Sequence, residues 1–248
     1  MIGELASHLL PGVPVDRVAA ALGAAAGQEL ASGKFSSPQS SSALAVNGFG
    51  FFLEDPASLP AFPCLSDLDW PSLYVGIERQ MRFPWSGGRH PWLDAAVETA
   101  THLIGVESKR YEPFRDTKLA KLSPKYASHR WDDGMEPWCT LRDRLLTEPS
   151  AFRHLDAAQL VKHGYGLVTE AHRRGKQPIL LYLYAEPTEG RVIPAEAFAD
   201  HRCEIASFAQ SVAGSTVRFA ACSWREWLAT FPPVLSGHAD RVIARFHP

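Results

Sequence analysis

The stretch at residues 91–109, PWLDAAVETATHLIGVESK, constrains the fold of this chain more than any other. Residues 92–100 and 103–111 are both short and rich in apolar residues, and both alternate with a period of two. That period is typical of strands with one buried face, and two adjacent runs of this kind predict a β-hairpin. Thr101 and His102 are the predicted turn, although Asn-Gly or Asp-Gly would signal a turn more strongly.

The predicted pairing gathers charge on one face of the hairpin. With a turn at 101–102, Asp94 faces Lys109, Ala96 faces Glu107 and Glu98 faces Gly105. Since side chains two positions apart share a face of a strand, one face carries Asp94, Glu98, Glu107 and Lys109. The other face carries the apolar set Leu93, Val97, Ile104 and Val106. Three carboxylates this close repel one another unless a cation or a proton lies between them. A hard divalent cation, bound by the carboxylate oxygens, is the simplest occupant of such a site.

Asp94 and the tripeptide at 107–109, Glu-Ser-Lys, resemble the active-site pattern of the PD-(D/E)XK nuclease superfamily. The resemblance implies that Asp94 and Glu107 bind Mg²⁺ (or Mn²⁺) and that Lys109 assists the attacking water. Leu93 precedes Asp94 where the family's pattern has proline, which is a mild departure because proline is not a metal ligand. The longer run LIGVESKRYEPFRD is similar to a group of bacterial restriction-endonuclease-like proteins, most of them uncharacterised. A hairpin with an ordinary solvated charged face is the alternative interpretation.

Bulk composition narrows the class of protein without identifying a partner. The 248 residues are 46% hydrophobic and 21% charged, as in ordinary globular proteins, and suffice for one large domain or two small ones. The net charge of −2 gives no global attraction to nucleic acid, so any such attraction must be local. Four cysteines lie far apart without a C-x-x-C pattern, which argues against a zinc site and a disulfide framework. No run reaches transmembrane length and no secretory signal pattern is seen, so we expect a cytoplasmic protein.

The first 71 residues predict an accessory region of helix and loop. Residues 15–30 are rich in alanine and predict a helix with Asp16 as its cap and Gly33 as its stop. The serine-rich stretch at 34–47 is interpreted as a flexible linker. An ordered substrate loop, whose hydroxyl and N–H groups meet phosphates, is the alternative.

Residues 72–82 predict a helix or a strand that enters the core just before the hairpin. Glu78 is the functional candidate in this element. The resemblance implies that a glutamate from the element before the hairpin completes the metal site. The alternative is a surface glutamate that pairs with Arg79 or Arg82.

The segment after the hairpin is locally basic. Residues 109–130 hold seven lysine and arginine side chains against two acidic ones: Lys109, Arg110, Arg115, Lys118, Lys121, Lys125 and Arg130. A positive region beside a negative metal site is the arrangement that phosphate-backbone binding needs. Arg110, Lys118 and Lys121 are therefore candidate substrate contacts. A solvated charged loop is the alternative.

Residues 156–174 form the clearest predicted helix, with Asp156 as its N-cap, an apolar stripe of helical period and Gly175 as its stop. Gln159 and Lys162 lie on its first turns, at the positive end of the helix dipole. The resemblance implies that polar side chains here hold phosphate and water near the metal, and ordinary exposed positions are the alternative.

Two histidines of this helix, His163 and His172, lack a partner at metal-ligand spacing. We interpret both as structural or surface residues.

The remaining elements complete an α/β pattern. Residues 177–185, QPILLYLYA, predict a strand that is buried on both faces. A helix at 194–212, a strand at 216–222 and a short helix at 224–231 follow, and the final residues predict one more helical turn. The fold class is therefore α/β over residues 1–248: a restriction-endonuclease-like core with a mixed central β-sheet flanked by helices.

The sequence predicts a Mg²⁺-dependent nuclease that hydrolyses phosphodiester bonds, in DNA in the first instance. A non-catalytic nucleic-acid-binding or assembly protein on the same fold is the alternative. No Gly-x-Ser-x-Gly, H-E-x-x-H or P-loop motif is present, which makes another kind of hydrolase remote. The expected partner is nucleic acid rather than a membrane, and homodimerisation stays open.

Overall fold

Five strands form one mixed sheet. The computed structural model describes residues 2–25, 33, 35–86, 89–115, 119–190 and 192–248. In these ranges the strands, in sheet order, are β1 (Tyr74–Gln80), β2 (Trp92–Glu98), β3 (His102–Lys109), β4 (Gln177–Tyr184) and β5 (Arg218–Ser223). β1, β2 and β3 pair antiparallel, whereas β4 pairs parallel with both β3 and β5. The long helical connections fall where the pairing becomes parallel, because parallel neighbours need a crossover.

Helices cover both faces of this sheet. The described ones are α1 (Ile2–Ser7), α2 (Val15–Ala24), α3 (Ser41–Gly50), α4 (Lys125–Ser128), α5 (Glu136–Thr147), α6 (Ala157–Arg173), α7 (Ala195–Ser211), α8 (Trp224–Leu228) and α9 (Pro233–Phe246). One apolar core joins the sheet to α1–α3 and α8–α9, and a second joins it to α4–α7. The predicted fold class is confirmed. None of the described helices has the length and apolar character needed to cross a membrane.

β4 shows why the sheet is apolar on both faces. Residues 178–183 are all buried. Successive side chains enter opposite cores: Ile179, Leu181 and Leu183 enter the first, and Leu180 and Tyr182 the second. A strand between two parallel neighbours has no solvated face, so an unbroken apolar run is what it requires. The predicted buried strand is confirmed.

α6 begins and ends where the sequence predicts. Asp156 accepts a hydrogen bond from the backbone N–H of Gln159 at 2.9 Å, which satisfies one of the unpaired N–H groups at the helix start. Gly175 follows the helix with a φ of 62°, a left-handed conformation that glycine adopts without strain. The helix packs on β3 and β4.

The hairpin forms, but the register differs from the prediction by two residues. Glu98 pairs with Leu103, whereas the prediction paired it with Gly105. The turn lies at 99–101, since β2 ends before it and β3 begins directly after it. A shift of two residues preserves the face of each side chain, because the pleat also repeats every two residues.

Asp94 and Glu107 lie just beyond the paired part of the hairpin, which ends at Ala95–Val106. The backbone N–H of Ser108, the residue after Glu107, donates to Asp94 Oδ2 at 2.7 Å. The prediction had put Lys109 opposite Asp94. The two candidate metal ligands therefore lie at the same end of the hairpin.

Leu93 is the exception to the predicted faces. It lies with Leu167 over Gly105, in the core beneath α6, rather than with Val97. The alternation breaks next to Glu78 of the neighbouring strand. Glu78 has a φ of 47°, and this left-handed conformation disturbs the pleat at that point.

The start of the chain differs from the prediction in detail. Pro14, rather than Asp16, is at the N-cap of α2, which extends to Ala24. The predicted end of this helix, near residue 30, lies outside the described residues.

The serine-rich segment is not a linker over its described part. Ser40 accepts a hydrogen bond from the backbone N–H of Ala43 at 3.0 Å and so caps α3. The whole helix beyond its first residue is buried. The ring of Trp224 lies 2.5 Å from where a Cβ of Gly48 would be, so only glycine allows this close approach.

Two further elements depart from the prediction. Residues 136–147 form α5, a helix that the sequence analysis did not predict. The end of the chain forms α9, a helix of 14 residues rather than a single turn.

Candidate active site

A cleft of about 480 Å³ opens at the end of the hairpin away from its turn. Its lining includes five of the predicted site residues: Glu78, Asp94, Glu107, Lys109 and Gln159. The wall opposite the hairpin comes from the serine-rich segment at 37–42, together with Glu112 and Arg115. The cleft therefore combines side chains from four separate parts of the chain.

Asp94 occupies an unfavourable electrostatic position in this cleft. Its Oδ2 accepts a hydrogen bond from the backbone N–H of Ser108 at 2.7 Å. Burial raises the pKa of Asp94 well above its ordinary value, and Glu107 and Glu78 raise it further, whereas Lys109 offsets only part of this. A cation bound here would relieve the repulsion between the carboxylates.

Glu107 has the opposite balance. Its side chain is 2% exposed, with Oε1 lying 2.5 Å from Lys109 Nζ and Oε2 lying 2.9 Å from His163 Nε2. Burial acts to raise the pKa of Glu107, but Lys109 and His163 outweigh it and lower this pKa to about 2. Burial acts to lower the pKa of Lys109, but Glu107 and Asp94 outweigh it and hold this pKa above its ordinary value. Glu107 is therefore ionised and Lys109 protonated at neutral pH.

Glu78 contributes a third carboxylate from the edge strand β1. Ser42 Oγ donates to its Oε1 at 3.4 Å. A non-glycine residue in the left-handed region costs on the order of 1 kcal/mol, and such residues cluster at functional sites. Glu78 therefore lies in the same cleft as Asp94, where its charge acts on that carboxylate.

Glu98 does not belong to the carboxylate cluster. Its Oε1 accepts a hydrogen bond from Arg174 Nη1, near the turn end of β2. Its place in the cleft is taken by Glu112, which the sequence did not indicate. Glu112 accepts hydrogen bonds from the backbone N–H of Arg110 at 3.0 Å and from Ser41 Oγ.

Arg110 supports the fold and does not face the cleft. It is 3% exposed, and its guanidinium donates to the carbonyl oxygens of Pro38, at 2.6 Å, and of Phe246. These bonds join the serine-rich segment to the end of α9. The prediction of a substrate contact is wrong for Arg110, because its guanidinium already donates hydrogen bonds to two distant carbonyl oxygens.

The predicted lysine contacts are also not assembled at the cleft. Lys121 is exposed in the segment before α4, and Lys162 is half-buried on α6. Neither residue lines the cleft. Lys118 lies outside the described residues.

His163 was missed by the sequence analysis as a neighbour of Glu107. It lies one helical turn beyond Gln159, so the two side chains share the face of α6 that packs on β3. The sequence does contain a signal for this, since His163 follows the candidate residue Gln159 by four positions and must share its face of the helix. His163 is buried, and its Nδ1 has no hydrogen-bond partner among the described residues.

The donor set fits a hard divalent cation that shares its coordination with water. Mg²⁺ prefers oxygen ligands and is commonly held by one or two carboxylates while keeping several waters. Asp94 and Glu107 supply two carboxylates in an open cleft. In the described part of the chain, no group of three or more His, Cys, Asp or Glu side chains is arranged to hold a metal ion. The remaining ligands of such an ion would therefore come from water or substrate.

Comparison with known proteins assigns the chain to a family. No curated protein and no solved structure matches it. A family model described as "Restriction Endonuclease associating with ARP" matches residues 7–246, which include every element that forms the cleft. The mixed five-stranded sheet flanked by helices is consistent with a restriction-endonuclease-like fold. The chain belongs to this restriction-endonuclease family.

Proposed function

We propose that the protein is a metal-dependent nuclease of the PD-(D/E)XK type that hydrolyses phosphodiester bonds in DNA. The observation that carries the proposal is the convergence of Asp94, Glu107 and Lys109 in one open cleft, with Lys109 Nζ 2.5 Å from Glu107 Oε1. Membership in a restriction-endonuclease family supports the choice of DNA as substrate.

Asp94 and Glu107 are the proposed ligands of Mg²⁺ or Mn²⁺, and Glu78 adds negative charge beside Asp94. When bound, the ion polarises a phosphoryl oxygen and lowers the pKa of a coordinated water. The raised pKa of Asp94 supports this assignment, because a carboxylate that is unstable beside other carboxylates gains most from a cation.

Lys109 is the proposed partner of the attacking water. Its pKa is held above the ordinary value, so Nζ acts as a hydrogen-bond donor at neutral pH. A donor at this position orients the water and stabilises the charge that develops on the phosphoryl oxygens. Gln159, from the first turn of α6, lines the same cleft, and its proposed role is to position the phosphate.

A digestion panel tests the proposal. Linear, circular, single-stranded and modified DNA and RNA are incubated with the protein in Mg²⁺, in Mn²⁺ and in a chelator. We expect metal-dependent cleavage of DNA by the parent and none by Asp94→Asn or Glu107→Gln. Cleavage that persists in both variants would assign the activity to another site or to a contaminant.

A non-catalytic assembly or nucleic-acid-binding role is the second candidate. It is favoured by one observation: both oxygens of Glu107 are already engaged, by Lys109 and by His163. The family's description by its association with ARP also fits an assembly role. Titration with Mn²⁺ by calorimetry separates the two candidates. A nuclease should bind the ion in the parent and lose it in Asp94→Asn, whereas an assembly protein should give no Asp94-dependent heat.

A further inference from the structure

A second cleft lies directly beside the carboxylate cleft. It has a volume of about 580 Å³ and runs between the edge strand β1, helix α2 and the end of α6. Glu78 and Trp92 line both clefts, so the two clefts adjoin at these side chains. A volume of this size is in the range of clefts that hold ligands, about 300–1,000 Å³.

The second cleft is rich in arginine. Four arginines line it: Arg79, Arg82, Arg173 and Arg174. Arg173 and Arg174 are partly neutralised, since Arg173 lies 2.8 Å from Glu170, and Arg174 pairs with Glu170 and Glu98. These three ion pairs give Arg173 and Arg174 partners within the fold.

Arg79 and Arg82 differ from this pair. Arg79 lies over the ring of Tyr74, 5.6 Å from its centroid, and Arg82 Nε donates to Gln80 Oε1 at 3.4 Å. Within the described ranges neither guanidinium forms an ion pair with a carboxylate. This cleft, which Glu78 and Glu170 also line, therefore holds two arginines that are outside any ion pair of the described residues.

We propose that this arginine cleft, defined by Arg79 and Arg82 on the β1 side, binds the phosphodiester backbone of the substrate strand next to the scissile phosphate. Guanidinium groups match phosphate oxygens in geometry and stay charged at all working pH values. Trp92, half-buried at the junction of the clefts, offers an apolar surface for a sugar or a base. Because the two clefts share Glu78 and Trp92, an extended polyanion is the class of ligand that can occupy both. This inference rests on the proposed nuclease function.

The test compares two pairs of charge-neutralising changes. The first is Arg79→Gln with Arg82→Gln, and the control is Arg225→Gln with Arg241→Gln, which changes net charge equally at exposed positions outside both clefts. Thermal melts first establish that both proteins are folded. Binding of a labelled DNA duplex is then measured in Ca²⁺ at several salt concentrations, and cleavage is measured in Mg²⁺.

The arginine-cleft variant should bind about tenfold or more weakly than the parent. The slope of log affinity against log salt should fall by about two, since each phosphate contact contributes about 0.9. KM for DNA should rise while kcat stays within about twofold, because these residues do not touch the reacting atoms. The control pair should match the parent.

Each other outcome has a distinct meaning. If the parent cleaves DNA and the arginine variant keeps the parent's affinity and salt slope, the inference is wrong and the proposed function stands. If the parent binds DNA through the arginines without cleaving it, backbone binding stands and the proposed hydrolysis fails. If the parent neither binds nor cleaves any nucleic acid, both are wrong. If only the control variant binds DNA more weakly than the parent, the DNA-binding surface lies outside the arginine cleft and the inference is wrong.

Discussion

The two ends of the β2–β3 hairpin carry the same residue types and use them differently. Each end has a carboxylate, a lysine and a histidine. At the turn end, Asp69 accepts hydrogen bonds from Thr99 Oγ1 at 2.6 Å and from the backbone N–H of Thr101 at 2.7 Å, and it lies 3.1 Å from His102 Nδ1. Lys176 Nζ donates to two carbonyl oxygens of the same turn at 2.6 and 2.8 Å. Asp69 and Lys176 thus both have main-chain or hydroxyl partners at the turn.

The pKa values of Asp69 and Asp94 shift in opposite directions. At the turn end, desolvation acts to raise the pKa of Asp69, but hydrogen bonds from Thr99, His102 and Thr101 outweigh it and hold this pKa below its ordinary value. For Asp94 the pKa is raised instead, because burial and neighbouring carboxylates dominate. Residue type alone therefore does not mark a functional site. A carboxylate that stays unfavourable in the folded protein is the better indicator of a ligand or a reaction.

The largest expected difference between the two ends is in turnover. Lys109→Ala should lower the rate of DNA cleavage by about 10²–10⁴-fold, as for other groups that act on a proton or a developing charge. DNA binding in Ca²⁺ should stay within a few fold. Lys176→Ala should leave the rate per folded molecule unchanged, because its ammonium serves the turn. Initial rates with labelled duplex, normalised to folded protein, measure both.

Lys109→Arg sharpens the same comparison. It should not restore the full rate, since a guanidinium differs from an ammonium in geometry and hydration. Parent-like cleavage by Lys109→Ala would remove the Glu-Ser-Lys tripeptide from the reaction and make the open end as structural as the turn.

A smaller difference is expected for the two histidines. His163→Phe removes the group beside Glu107 Oε2 and should reduce metal affinity or turnover by about 10–100-fold, as changes to groups that orient metal ligands do. His102→Phe is the matched change at the turn and should affect only stability. Equal activity losses in the two variants would show that both act through folding.

The two aspartates should differ in the sign of their effect on stability. Asp94→Asn removes a repelling buried charge and should stabilise the apo protein by about 1 kcal/mol, a rise in Tm of about 2–4 °C at this chain length. Asp69→Asn weakens the hydrogen bonds of the turn and should cost about 1–3 kcal/mol. Melting curves in a chelator measure both effects. A destabilised Asp94→Asn would mean that the repulsion at the open end is already relieved in the apo protein.

The hairpin and its faces could be predicted because they depend on local alternation and on residue types at short range. α6 and β4 were predictable for the same reason, through Asp156, Gly175 and an unbroken apolar run. The register of the hairpin could not be predicted. A shift of two residues leaves the alternation intact, and the turn at 99–101 contains no Asn-Gly or Asp-Gly signal.

The rest of the site depends on contacts between distant parts of the chain. Ser41 meets Glu112 across 71 positions, and Arg110 meets Phe246 across 136. No local sequence pattern indicates such pairs. The sequence therefore predicts Arg110 as a substrate contact and does not indicate Glu112 as a residue of the cleft. The left-handed backbone of Glu78 is equally invisible in the sequence, since glutamate rarely adopts it.

The two aspartates should also respond oppositely to acid. The folded-state pKa of Asp69 is lowered, so its stabilising contribution is present above its unfolded pKa of about 3.9 and is lost as pH falls through the lower folded value. The folded-state pKa of Asp94 is raised, so the penalty for its charge fades as pH falls from that raised value toward 3.9. The stability gain of Asp94→Asn over the parent should therefore shrink between neutral pH and pH 4. Over the same interval the loss in Asp69→Asn should stay constant, as urea unfolding at stepped pH would measure.

The smallest effect is expected in the basic segment, which belongs to neither end of the hairpin. Lys121 is exposed and does not line the carboxylate cleft. A charge there is screened over about 10 Å at 0.1 M salt, so Lys121→Gln should change DNA affinity by less than about twofold. The single change Arg82→Gln, equal in charge, should lower the salt slope by about one. If Lys121→Gln lowers the slope as much as Arg82→Gln does, the DNA path runs over the segment after the hairpin and not across the edge strand. Equal and small effects from both would mean that binding depends on contacts with the bases or on the metal, and that backbone charge matters little at either surface.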